Sequence, residues 1–400
     1  MSARHLGSES RRGVTSFEVC RVRSCDAIVI GGGIAGMSAA YSLSRRGVEV
    51  VVLEREDSLT AHSTGRSAAQ YIETYGGPVN QALTIASRDF LLSDADGLAE
   101  VELLQPRAVL WVAPAENLGD LEQLRQEMSP LTPHLAIVGA GEARTHCPVL
   151  DPEWVAGGLF EEGSYDIDVA GLHQAFLRGA RRQGATVVRS SPVEAMDRAG
   201  GRWELRAAAG TFAAPVVVNA AGAWADEVAG CAGVPPLGLA PLRRTIFTFA
   251  APTGYAAEQV WRWPLVADIG DGFYFKPEGP AQLLGSPADE TPDVPCDARA
   301  EELDVARGID AVNSATTLGV RAVRSVWAGL RTFAADCHPV AGFDETTEGF
   351  VWCAGQGGTG IQTSPAMGEA VASVVCGTSP PAALADIVER LSPRRLRADR

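Results

Sequence analysis

The stretch Asp26–Glu56, DAIVIGGGIAGMSAAYSLSRRGVEVVVLERE, decides the fold. A short apolar run, Ala27–Ile30, meets Gly31-x-Gly33-x-x-Gly36. A helix of small residues follows from Met37 to Arg46, then Gly47, then a second apolar run, Val48–Leu53, closed by Glu54. Gly31 permits the tight turn from strand to helix, Gly33 has no side chain to hold a pyrophosphate off the backbone, and Gly36 lets helix and strand pack closely. The free N–H groups at the helix start face phosphate charge. Glu54 lies 18 residues after Gly36, where a carboxylate accepts hydrogen bonds from ribose hydroxyls and repels a 2′-phosphate. A strand before the glycines, a helix after them and an acid closing the second strand together predict a βαβ unit that binds a dinucleotide. Ile34, Ala35 and Arg55 belong to the same expected cofactor surface.

Four hundred residues suit two domains with a sizeable core, and 46% hydrophobic with 21% charged residues is ordinary for a globular enzyme. No apolar run reaches the length of a bilayer span. Residues 1–24 are polar and Arg-rich, so they read as a disordered leader and the chain as cytoplasmic. A net charge of −15 argues against nucleic acid or an anionic membrane as partner, and Arg11, Arg12, Arg394, Arg395, Arg397 and Arg400 read as solvated tails. Eight cysteines without a CxxC pair, and no histidine cluster at zinc spacing, indicate neither a disulfide framework nor a metal site. Lys276 is the only lysine, so Schiff-base chemistry has a single candidate, set in Phe-Lys-Pro at a predicted strand end.

Helical patterns cover Val79–Leu98, Leu121–Met128 and Val169–Arg182, the last introduced by Asp166 and Asp168. Strands are expected at Ala108–Val112, Ala185–Val188 and Val216–Asn219. Pro235–Pro241 marks a stiff boundary. Beyond it, aromatic and β-branched strands (Thr245–Phe249, Phe273–Lys276, Leu283–Gly285) alternate with Pro/Gly turns, the composition of an antiparallel sheet. Apolar strands return after Ser325, and a closing helix is expected over Ile361–Val375. The expected fold class is α/β, or α+β taken as a whole. A Rossmann-like nucleotide-binding domain is expected from 25–75, 166–236 and 335–392, and a second, β-rich domain from 76–165 and 237–334, with 393–400 as a tail.

Two later segments suit a flavin. Val217–Trp224 is a buried strand running into small residues, which lets the backbone approach the dinucleotide a second time. Gly355–Gln362 is a glycine-rich turn opening a helix, and a helix start holds negative charge such as that of a reduced flavin. At this point the chain resembles the FAD-dependent D-amino acid oxidase superfamily, and within it the D-arginine dehydrogenase and D-amino acid dehydrogenase group. The resemblance runs from Asp26 to the C-terminus, anchored by HSTGRSAAQY, VVNAAGAWAD, LRRTIFTF, GFYFKP, WAGLRTF and GQGGTGIQTSPAMGEA.

The resemblance implies that the first domain binds FAD and that the second is a substrate domain with a curved antiparallel sheet. It implies FAD held without a covalent bond, although Cys337 and Cys353 leave attachment open. It places the cofactor along Arg66, Ser67, Ala68, Val193, Ala221, Gly222, Trp224, Gly329, Gly357, Gly358, Gly360, Ile361 and Gln362. It also implies that Arg244 and Arg331 hold a substrate carboxylate, that Tyr75 and Tyr274 flank the substrate, and that Gly358 and Gln362 meet amine and flavin. The chemistry of guanidinium forks agrees: they pair bidentately with carboxylates, and a buried arginine is costly unless paired. Two positions depart from the D-arginine-directed pattern. Val109 stands where a glutamate would pair a guanidinium, and Gln70 where a histidine is expected; with Ile72 they predict a pocket for a neutral, apolar side chain.

The implied reaction is oxidation of an amino acid at its Cα–N bond by hydride transfer to flavin N5, giving an imine that hydrolyses to a 2-oxo acid and ammonia. The amine must be neutral for its lone pair to assist, so the rate is expected to rise with pH. His62 and His338 read as hydrogen-bonded loop residues rather than bases. Quinone or O₂ is expected as electron acceptor. Rival readings are a glycine- or sarcosine-type oxidase, a tailoring oxidase of an amino-acid-like metabolite, and a flavin-binding subunit without catalysis.

Overall fold

The structure, a computed structural model, describes residues 22–279 and 281–397. Its first layer is a six-stranded sheet in the order Thr186–Val188, Val50–Leu53, Ala27–Ile30, Val216–Asn219, Phe350–Ala354, Val340–Phe343. The first five strands run parallel, and Val340–Phe343 adds an antiparallel edge. These strands are short and almost wholly apolar because both faces are covered. The helix Ile34–Ser44 lies on one face with every residue but Ala35 buried, which is why its composition is small and apolar rather than amphipathic. Helix Ser364–Cys376 crosses it so closely that a Cβ on Gly368 would come within 2.6 Å of the Ser38 carbonyl oxygen. Helix Val169–Arg182 packs beside it, its N-terminus capped by the Asp168 carboxylate, which accepts from Gly171 N at 2.7 Å.

The second layer is a nine-stranded sheet. From one edge it runs Thr291–Pro292, Ala240–Ala250, Gln282–Ser286, Tyr274–Pro277, Leu265–Asp268, Val109–Ala113, Gly157–Glu161, Leu135–Gly139, with Ser325–Phe333 also paired to Ala240–Ala250. It is antiparallel except where Leu265–Asp268 meets Val109–Ala113. A three-stranded sheet, Gln70–Tyr71, Tyr165–Ile167 and Leu104–Pro106, joins the two layers, and a four-stranded one ends in Val193–Ala199.

Several expectations are corrected. The leader does not reach residue 24: Arg23 and Ser24 pair in parallel with Phe212 and Ala213, while Arg11 and Arg12 lie outside the described residues. The tail does not begin at 393, since Pro393–Leu396 form a 3₁₀ turn packed on the parallel sheet. Arg395 donates to Asp336 at 2.7 Å, and Arg397 pairs with Asp344, whose side chain is fully buried, so neither is a solvated tail residue. Arg400 lies outside the described residues. The helix after Val79 stops at Leu92, because Asp94, Ala95 and Asp96 adopt left-handed conformations. The closing helix begins at Ser364 rather than Ile361, so the glycine-rich turn Gly355–Gln362 lies in a separate loop, 355–363, ahead of it.

Candidate active site

A cavity of about 370 Å³ follows the C-terminal ends of the parallel strands and runs to the face of the larger sheet. Its walls come from the first strand-to-helix turn, the loop 58–68, the second apolar strand's end, the segment 220–224 and the loop 356–361. The loops are built for close approach. A Cβ on Gly31 would meet the Ala220 carbonyl oxygen at 2.4 Å, and one on Gly36 would meet that of Gly31 at 1.9 Å. Gly31 also has φ of +107°, which only glycine adopts without strain.

Of the expected cofactor residues, Gly31, Gly33, Ile34, Ala35, Glu54, Arg55, Arg66, Ser67, Ala68, Val193, Ala221, Gly222, Trp224, Gly329, Arg331, Gly357, Gly358, Gly360 and Ile361 all line this cavity. Gly36 lies behind it, in the helix. Glu54 closes the second strand as expected; its Oε2 accepts from Gly32 N at 2.7 Å and its Oε1 from Glu56 N at 2.8 Å. The Arg55 guanidinium sits 5.0 Å over the Trp224 ring. Arg66 spends its guanidinium on structure, donating to the Ala298 and Ala328 carbonyls at 2.9 and 3.1 Å and pairing with Asp297.

Gln362 is corrected. Its Oε1 accepts from Ile72 N at 3.0 Å, and its Nε2 donates to Ile72 O at 3.1 Å and Thr84 Oγ1 at 2.8 Å. Both ends of the amide are engaged, and the side chain ties the strand at Ile72 to the C-terminal half instead of facing the cavity.

Arg244 and Arg331 enter the far end of the cavity. In the antiparallel pairing Arg331 is opposite Leu242 and Arg244 opposite Gly329, so the two arginines are diagonal neighbours on one face. Arg331 Nη1 donates to the Tyr75 hydroxyl at 3.0 Å, and no carboxylate of the described residues stands within 4.0 Å of it. Gly358 adjoins this pair: a Cβ there would meet Tyr75 Oη at 2.5 Å and Arg331 Nη1 at 3.0 Å. Tyr274 is buried with the Arg244 guanidinium 6.0 Å over its ring, and its hydroxyl has no partner among the described residues.

The predicted side-chain pocket is not open. Val109 is fully buried, and with Ile72, Trp111, Leu265 and Tyr274 it forms an apolar cluster that meets the cavity through Ile246, which lines it. Gln70 is turned away to Asp166, donating at 2.7 Å. Burial raises the Asp166 carboxyl, but Lys276 and Arg107 outweigh this and hold it below its ordinary value. The single lysine is thus a buried partner of Asp166 at 2.7 Å.

Other residues of the site carried no spacing signal. Thr64 Oγ1 accepts from Ile34 N at 3.1 Å and joins the loop to the helix start. Glu161, buried at the end of the strand Gly157–Glu161, accepts from Glu73 N at 2.8 Å and from Thr74 and Ser164, fixing the turn that carries Tyr75; burial pushes its carboxyl up despite these donors. His62 Nε2 is hydrogen-bonded to the Glu56 carboxylate at 3.0 Å and its ring lies tilted against Trp224, centroids 4.6 Å apart, in the cavity wall, while His338 pairs with Asp336 at 3.5 Å. Cys353 is buried beside Gln356 and Cys337 is exposed; neither lines the cavity, whereas Cys231 does. No group of metal-ligating side chains occurs among the described residues.

A model of the family described as DAO, FAD dependent oxidoreductase, matches residues 26–374. The chain belongs to this family. It is 26% identical to the mouse (Mus musculus) FAD-dependent oxidoreductase domain-containing protein 1, over 88% of this chain and 81% of that protein. It is 27% identical to the rat (Rattus norvegicus) mitochondrial dimethylglycine dehydrogenase over 65% of this chain, which spans only 30% of that protein. Among solved structures it resembles L-proline dehydrogenase from P. horikoshii with a TM-score of 0.82 and 20% identity, covering 95% of this chain and 99% of that one. Glycine oxidase from Geobacillus kaustophilus gives 0.80 and 22%, covering 93% and 98%. The DAO-family chain is an FAD-dependent oxidoreductase, and the cavity fits its cofactor: the glycines leave room for a backbone-bound pyrophosphate, and Glu54 ends the strand where a ribose is met.

Proposed function

We propose that this DAO-family enzyme oxidises a neutral amino acid at its Cα–N bond, with the substrate carboxylate held at Arg331 and Arg244. The observation that carries the reading is Arg331: a guanidinium at the cavity end, hydrogen-bonded to Tyr75 and lacking a carboxylate partner within 4.0 Å among the described residues. A guanidinium left there without an anion is costly, and a carboxylate completes it bidentately. When bound, FAD supplies the acceptor for the hydride that leaves Cα. The chain's own residues orient the substrate. Arg331 fixes the carboxylate, Tyr75 fixes Arg331, and Gly358, lacking a side chain, lets the two come together beside it. Positioning of this kind lowers a barrier by several kcal/mol, roughly the scale of well-oriented intramolecular reactions.

The resemblance implies a D-amino acid, and Val109, Gln70 and Ile72 an apolar side chain. The filled cluster of Ile72, Val109, Trp111 and Tyr274 restricts the side chain further, to a small or N-alkylated amino acid. The names of the relatives and structural neighbours, dimethylglycine dehydrogenase, L-proline dehydrogenase and glycine oxidase, support the same restriction. The test is anaerobic loss of flavin absorbance with glycine, sarcosine, dimethylglycine, both enantiomers of alanine and proline, and D-leucine, D-phenylalanine and D-arginine. Fast bleaching by a small member with D-arginine slow is expected. Preference for D-arginine or D-phenylalanine overturns the restriction, and peroxide yield per turnover in air separates O₂ from a quinone as acceptor.

A further inference from the structure

Arg244 and Arg331 share a face of the sheet but not a state. Arg331 has no carboxylate within 4.0 Å among the described residues, whereas Arg244 Nη2 already donates to Glu290 Oε1 at 3.1 Å. The Glu290 side chain is 49% exposed and reaches the arginine from the segment between Gln282–Ser286 and Thr291–Pro292. That segment is pinned on either side of its turn. Asp289 accepts from Thr245 N at 2.6 Å and from Thr245 Oγ1 at 2.9 Å, and Ser286 Oγ accepts from Ala288 N at 3.1 Å. Asp289 is hydrogen-bonded to Thr245 and Glu290 is the ion-pair partner of Arg244, while both carboxylates also act on Arg331 at longer range. A further acid, Asp271, on the turn before Tyr274–Pro277, interacts with both arginines, and burial pushes its carboxyl above the usual range.

The geometry points to Glu290 as the residue that sets the charge class of the substrate. It occupies Arg244 and leaves Arg331 to take one carboxylate, so the site accepts amino acids with a single carboxylate and rejects dicarboxylates and phosphate monoesters. This rests on the carboxylate reading given above and narrows it. A second negative charge on the ligand must either displace Glu290 from Arg244 or lie against it, with Asp289 and Asp271 close by; like charges brought together at a binding site cost affinity and enforce selectivity. Without Glu290 the two guanidiniums form an open fork pair suited to one dianion.

The test uses the flavin-loaded protein and two small probes, acetate and malonate, with binding read from perturbation of the flavin visible spectrum in wild type, Glu290→Gln and Glu290→Ala. Wild type is expected to bind acetate more tightly than malonate. Both variants are expected to raise the malonate-to-acetate affinity ratio by about tenfold or more. An unchanged ratio, or a change with Gln alone, overturns the role of Glu290 while leaving the carboxylate site intact. Failure of both anions to bind any of the three proteins overturns the carboxylate reading itself, and the role of Glu290 with it.

Discussion

Arg331 concentrates the account at the scale of one residue, because Tyr75 accepts from it while no carboxylate of the described residues stands within 4.0 Å, and Glu290, Asp289 and Asp271 act on it only at longer range. Arg331→Met keeps the apolar stem and removes the guanidinium. It is expected to lower kcat/KM by about a hundredfold, on the order of 3 kcal/mol, with flavin content unchanged. Tyr75→Phe removes only the acceptor for Arg331 at 3.0 Å. About 1 kcal/mol of positioning is lost, a several-fold rise in KM with kcat less affected, measured by steady-state kinetics. Both arginines were singled out through the resemblance, with the physical point beside it that a charged side chain in the apolar strands LRRTIFTF and WAGLRTF demands a partner; the pattern alone does not separate Arg244 from Arg243, which pairs with Asp304 at 3.1 Å. Glu290 was not singled out. Its contact with Arg244 spans 46 residues, and a glutamate in a polar turn carries no periodicity. Gln362 was misread for the opposite reason: the motif located it, but only the packing shows that Ile72 and Thr84 use its whole amide.

Among elements, the three-stranded sheet depends on Asp166. It accepts from Gln70 at 2.7 Å, Lys276 at 2.7 Å and Arg107 at 2.9 Å, so one carboxylate links the cofactor layer to the substrate sheet. Asp166→Asn leaves the buried Arg107 without its anion and Lys276 with Glu278 alone at 3.3 Å, and is expected to cost about 3 kcal/mol, read from urea unfolding. The pH dependence follows from the lowered carboxyl. A depressed folded pKa contributes stability above the ordinary value of 3.8, and that contribution is lost as pH falls through the folded pKa. The difference between wild type and variant should therefore be full near neutrality and shrink below 3.8. The parallel strands and the first helix were readable because a fully buried element is apolar throughout. The strand of Val109 was readable too, but not what its side chain faces: a residue's pocket is decided by strands paired to it from far along the chain, here Leu265–Asp268 and Gly157–Glu161.

At the scale of the whole molecule, the C-terminal segment holds the parallel sheet closed. Arg397 pairs with the fully buried Asp344, which also accepts from Trp352 Nε1 at 3.0 Å, and Arg395 holds Asp336 and the His338 carbonyl. Deleting residues 393–400 is expected to lower the thermal midpoint by several degrees, on the order of 2–4 °C for each kcal/mol lost in a large chain. An unchanged midpoint would show the segment to be dispensable. Arginine-rich ends look like solvated tails by composition alone, and only the buried acid at 344 distinguishes the two. The two sheets meet at the cavity, with the cofactor loops on one side and both arginines on the other.

The most direct measurement is anaerobic flavin reduction by the fastest amino acid of the panel and by its decarboxylated amine, in wild type and Arg331→Met. The account predicts that wild type reduces with the amino acid at least about a hundredfold faster than with the amine, and that the variant keeps its flavin but loses most of that difference. Equal rates with the two compounds in wild type, or bleaching by no amino acid at all, would contradict it.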